Sequence, residues 1–137
     1  MSRRQHNLVL LAGVAYALIN APTLGESIRC HYQYGGEQHV VTARATTQPY
    51  SVDNLQIGSY FQLRIVFQRT PADLASIKLY VFADREHGPT PIQQASYHYP
   101  PARHPRYGFT GLQFIYEPVR DGELQYWCEW LPTNPAD

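Results

Sequence analysis

Cysteine is scarce in this chain: Cys30 and Cys128 are the only two. With no CxxC pair they do not form the usual structural zinc framework, and in an oxidising compartment two such thiols are expected to join. Lysine occurs once, at Lys78, the other ten basic residues being arginine, and methionine occurs once, at Met1, so there is no methionine-rich copper site. Acidic and basic side chains balance at 11 each. That removes the electrostatic reason to expect nucleic acid or an anionic membrane as partner. No GxSxG elbow, HxH or HxxxH spacing, or phosphate-cradling glycine loop occurs. Long apolar runs are missing too: the longest, Leu8 to Ile19, has twelve residues, against the ~20 that a membrane span needs.

That short run has its own meaning. Arg3 and Arg4 precede it, and Asn20, Ala21, Pro22 and Thr23 end it. A charged start, a short greasy stretch and a small-residue exit read as a secretory signal peptide, here residues 1–27. Ala15-Tyr16-Ala17 and Gly25-Glu26-Ser27 both fit the small-x-small pattern, and the later region is preferred because little structure fits between them. The expected product is a periplasmic or secreted domain over 28–131 with a C-terminal tail over 132–137. From Ile28 onward nine basic and ten acidic side chains remain, a net of minus one.

What the chain has in abundance is tyrosine (11), proline (11) and glycine (9). Tyrosine and β-branched residues in short runs, broken by proline and glycine, indicate an all-β domain with little room for helices. Gly108 to Leu131 reads as a hairpin. Leu112, Phe114 and Tyr116 alternate on one side of its first half, Leu124, Tyr126, Cys128 and Trp130 on one side of its second, and Asp121-Gly122 serves the turn. It holds both tryptophans and is expected to be the most buried part of the fold. Ile28 to Tyr34 puts Ile28, Cys30, Tyr32 and Tyr34 on one face, and Gly35-Gly36 turns it into a second strand, Glu37 to Arg44.

Tyr60 to Gln68 alternates cleanly, with Phe61, Leu63, Ile65 and Phe67 on one face. Ile77 to Arg85 has apolar residues on both faces and suits a central strand, whereas the more polar Pro91 to Tyr99 suits an edge. About seven strands in this length match an antiparallel immunoglobulin-like β-sandwich. Both cysteines lie on the apolar sides of their strands, which supports a disulfide joining the first strand to the last. Closing a loop of 98 residues contributes roughly 4 to 5 kcal/mol in the chain-entropy model.

Site candidates follow from residue chemistry. Tyr97, Tyr99 and Tyr107 bracket a proline-rich loop that carries Arg103 and Arg106, and tyrosine with arginine is the composition of contact surfaces. The competing reading makes these tyrosines a lid on the core with their hydroxyls at the rim. Trp127 lies on the face opposite Tyr126, Cys128 and Trp130, so it is expected to be exposed or paired with a partner. For metal, His31, His98 and His104 are the candidates for copper or zinc. With a two-residue turn at Gly35-Gly36, His31 faces Val40 while His39 faces Tyr32, which puts the two histidines on opposite faces. Ser96, His98 and Asp84 or Asp121 form no catalytic frame, and Glu117, Asp121 and Glu123 surround a turn where carboxylates are commonly solvated. The expectation is therefore a non-enzymatic exported module without cofactor, binding a protein or glycan of the bacterial envelope, with a periplasmic copper or zinc carrier as the alternative.

Overall fold

The computed structural model describes residues 12–14 and 25–133. Most of the expected signal segment 1–27, and residues 134–137 of the expected tail, lie outside the described residues. Eight strands follow in order: β1 (Ser27–Tyr34), β2 (Glu37–Arg44), β3 (Leu55–Ile57), β4 (Phe61–Gln68), β5 (Ser76–Arg85), β6 (Gly88–His98), β7 (Gln113–Glu117) and β8 (Gly122–Leu131). They form two antiparallel four-stranded sheets, ordered β2-β1-β8-β7 and β3-β4-β5-β6. The expected all-β sandwich is thus present, with eight strands instead of about seven. The difference is the three-residue β3, which pairs with β4 and lies in the polar stretch between β2 and β4. Among the described residues there is no α-helix, only 3-10 turns at Pro49–Ser51 and Ala72–Leu74.

Local chemistry explains the register. Gly35 and Gly36 both take positive φ (62° and 79°), which a two-residue hairpin turn requires and glycine supplies without steric cost. Tyr34 therefore faces Glu37, Tyr32 faces His39 and His31 faces Val40. On its other side β1 pairs with β8, and Cys30 falls directly opposite Cys128. The two are joined, at a Cα separation of 4.1 Å, so the expected bond between first and last strands links neighbours within one sheet.

The core lies between the sheets. Ile28, Cys30, Leu124, Tyr126 and Cys128 come from the first sheet, and Phe61, Leu63, Phe67, Ile77, Leu79 and Val81 from the second. Phe61 and Phe67 are completely buried, each contributing roughly 1.5 to 3 kcal/mol over an exposed side chain. Tyr126 is buried as well and donates its hydroxyl to Gln93 Oε1. Burial, with a smaller contribution from Tyr97, pushes its pKa far above the ordinary tyrosine value. The folded protein therefore holds this proton at pH values where the unfolded chain has begun to lose it. The contribution of Tyr126 to stability is expected to be constant below about pH 10 and to decline above it by about 1.4 kcal/mol per pH unit. Urea midpoints from pH 8 to 11 check this: Tyr126→Phe should make the alkaline decline shallower, and an unchanged slope would contradict the assignment.

The expectation for the second hairpin is corrected by the structure. The pair β7–β8 exists, but it is not uniformly the most buried part. Phe114 and Tyr116 are 57% and 59% exposed, while Ile115 and Glu117 turn inward. The ladder decides this: Phe114 pairs with Gln125 and Tyr116 with Glu123, whereas Ile115 pairs with Leu124 and Glu117 with Gly122. Glu117 can be buried because the hydroxyl of Tyr34 donates to it and Arg120 lies 3.9 Å away. Near Thr70 the chain makes a helical turn over Ala72–Leu74, with Pro71 before it and no side-chain cap.

Candidate functional site

Alternation on β1 and β8 sends every second residue to the outer face of the first sheet. Because Cys30 and Cys128 are opposite, their outward neighbours are opposite too: His31 faces Trp127, and Gln33 faces Gln125. β2 adds Val40 beside His31 and Gln38 beside Gln33. Two rows result, both crossing the strands. One reads Val40, His31, Trp127; the other reads Gln38, Gln33, Gln125 and continues to Phe114 on β7.

The ring row is held tightly. His31 lies flat on Trp127 with ring centroids 3.9 Å apart and planes 9° from parallel. Its Nε2 is 2.6 Å from Glu129 Oε2, so the ring N–H donates to that carboxylate and fixes the imidazole plane. Tyr107 meets Trp127 from the loop side at 5.9 Å and 66°. Together these groups border an open groove of about 570 Å³, lined also by Gln33, Gln38, Gln125 and Leu112. Among the described residues no Asp, Glu, Lys or Arg lines it.

The segment between β6 and β7 carries Tyr107 to this face. It leaves the second sheet at His98, crosses the end of the sandwich and settles beside β8. There Phe109 N–H donates to the Cys128 carbonyl at 3.1 Å, and Cys128 N–H donates to Thr110 Oγ1 at 2.9 Å. Phe109 enters the core. The loop thus takes the position along β8 that the five-residue β7 is too short to fill.

This path divides the tyrosines. Tyr97 packs edge-on against Phe109 at 5.0 Å, and Tyr99 packs against Phe67 and Trp130. The Tyr99 hydroxyl donates to the Glu26 carboxylate at 2.6 Å, and Arg69 lies 2.9 Å from the same group. Burial raises the pKa of both tyrosines, and for Tyr99 the bond to Glu26 adds to it. These two residues behave as the lid reading expects. Arg103 sits over Trp130 at the sandwich end and Arg106 over Tyr107. Only Tyr107, Arg106 and Trp127 of the six contact candidates come together on the outer face.

The histidines are dispersed. His31 is engaged by Trp127 and Glu129, whereas His98 and His104 are exposed on β6 and the loop. Among the described residues no three His, Cys, Asp or Glu side chains gather as metal ligands. The glutamine row escapes sequence reasoning, although it leaves a signal there: outward positions adjacent to two cysteines that face each other must themselves align.

The fold and site define a disulfide-stapled antiparallel β-sandwich with an uncharged aromatic and amide groove on one outer face. Comparison with protein-family models, with curated proteins and with solved structures gave no match. Among the described residues no helix is long and apolar enough to cross a membrane.

Proposed function

We propose that this protein is an exported, non-enzymatic binding module that recognises a protein or glycan of the bacterial envelope through the outer face of sheet β2-β1-β8-β7. The observation that carries the reading is the Trp127 cluster. An indole left outside the core, stacked on His31 and approached by Tyr107, is a preorganised contact surface of the kind that anchors interfaces. Rigid aromatic groups lose little conformational freedom on binding, so they favour a bound partner more than flexible side chains do. The disulfide and the short apolar N-terminal run support export. Glu26 holds Tyr99 and Arg69, so a cut after Ser27, as expected for a signal segment 1–27, removes this anchor of the loop, whereas a cut before Glu26 keeps it.

The test is co-sedimentation of the purified domain with an isolated envelope fraction. Trp127→Ala and Tyr107→Ala are each expected to weaken retention at least tenfold, roughly the effect of losing an aromatic anchor, with the thermal midpoint little changed because both side chains lie outside the core. Arg103→Ala should have little effect, since its guanidinium covers Trp130 at the sandwich end. Full retention by a folded Trp127→Ala protein would overturn the assignment of this face.

A further inference from the structure

Resting on that reading, we infer that the groove takes a neutral oligosaccharide laid across strands β2, β1 and β8, with its hydroxyls read by Gln38, Gln33 and Gln125. These three amides come from three strands and are aligned by the ladder. Gln125 Nε2 donates to Glu123 Oε1 at 2.8 Å, which uses one of its two N–H groups, and Gln33 and Gln38 project from the same face. Each amide offers both donors and an acceptor. A sugar hydroxyl is also donor and acceptor at once, so a row of amides matches a row of hydroxyls whichever way each points.

Charge narrows the ligand class. Among the described residues the groove has no Asp, Glu, Lys or Arg in its lining. Its two histidines already face carboxylates, His31 with Glu129 and His39 with Glu37. The charges at its margins, Arg106 over Tyr107 and Glu123 beside Gln125, are single and of opposite sign, so they give neither an acidic nor a basic polymer a run of matching charge. Shape narrows it further. The row from Gln38 to Phe114 crosses three strand spacings, about 14 Å, and the groove is open along its length. It suits a short chain better than a single small molecule. Phe114, 57% exposed, lies where the row ends and offers an apolar ring to the C–H face of a sugar.

A peptide fits less well. An extended peptide gains its affinity from main-chain pairing along a sheet edge, which a sheet face does not offer. A proline-rich peptide needs an open slot between aromatic rings. Here His31 lies flat on Trp127 and Tyr107 approaches it from the other strand side, so that slot is filled.

The experiment is a titration of the disulfide-bonded domain, followed by amide NMR shifts and tryptophan fluorescence. The probes are soluble manno-, cello-, xylo- and chito-oligosaccharides, with polygalacturonate as an acidic chain and a proline-rich peptide as comparisons. At least one neutral chain should bind at millimolar concentration or below, shifting the Gln33, Gln125 and Trp127 side-chain signals. The Gln33→Ala/Gln125→Ala double variant, altered only on the outer face, should bind it about tenfold more weakly. Binding of only the acidic chain, of only the peptide, or of no neutral chain overturns the inference. If retention on envelopes still depends on Trp127 in that case, the contact surface stands and only its ligand class falls. If retention is independent of Trp127, the surface itself is lost.

Discussion

Replacing both Cys30 and Cys128 with alanine is expected to lower stability by about 4 to 5 kcal/mol, the loop-closure entropy that a cross-link over 98 residues removes from the unfolded chain. The native state contributes little to the difference, because Cys30 and Cys128 are already neighbours on paired strands and the sheet ladder holds their backbones whether or not the sulfurs are joined. The cost falls on the unfolded chain, whose first and last strands are released. For a domain of this size a loss on that scale corresponds to a fall in thermal midpoint of roughly 15 to 30 °C, and it takes up a large part of a typical total stability of about 5 to 15 kcal/mol. Urea denaturation of the double variant, and of the wild-type chain in reductant, should agree. A loss below about 1 kcal/mol in both would show that the unfolded chain keeps its ends together without the bond.

Gly108→Ala is expected to be nearly as damaging, for a reason confined to one point of contact. Gly108 sits at φ 57° where the loop lies against β8, and an added Cβ would overlap the Cys128 carbonyl oxygen and come 2.9 Å from Glu129 Cα. Those are backbone atoms of a central strand, and they do not yield. The positive φ alone disfavours alanine by about 1 to 2 kcal/mol. Relieving the clash means lifting the segment, which breaks the bond from Phe109 N–H to Cys128 and draws Phe109 from the core. We expect roughly 3 to 5 kcal/mol in total. Gly35→Ala is the control: its φ of 62° is similar, but a Cβ there meets nothing within 4 Å, so only the conformational penalty of about 1 to 2 kcal/mol applies. Equal losses at the two positions would rule out the close approach as the cause. Gly108→Ala should also weaken envelope retention beyond its effect on folding, since Tyr107 is the neighbouring residue and would leave Trp127.

Much of the scaffold is legible in the order of residues. Period-two alternation locates β1, β4 and β8 because a strand buried on one face must alternate, a run apolar on both faces marks β5 as central, and the two glycines place β2 and set its register because a two-residue turn permits only one. The same rule fails at β7. Both of its alternating sets contain apolar residues, and the inward set carries Glu117, which local reasoning assigns to water. It is buried because Tyr34, distant in sequence, supplies the hydroxyl that satisfies it. The proline-rich loop is legible as irregular chain, yet its division into lid and contact residues is not. Tyr97 and Tyr99 are committed to the interior by the face of β6 they continue, and Tyr107 is carried past the end of the sandwich before it emerges.

The sequence by itself determined an all-β domain, one disulfide, the first hairpin and the outward direction of Trp127, since each rests on neighbours in the chain or on the only available pairing of cysteines. Only the tertiary structure decided that β1 and β8 lie side by side with Cys30 opposite Cys128. That single register sets His31 against Trp127 and brings Gln38, Gln33 and Gln125 into line. A groove assembled from three strands depends on how those strands are offset, and the offset is fixed by long-range hydrogen-bond ladders and a shared core that no local pattern encodes.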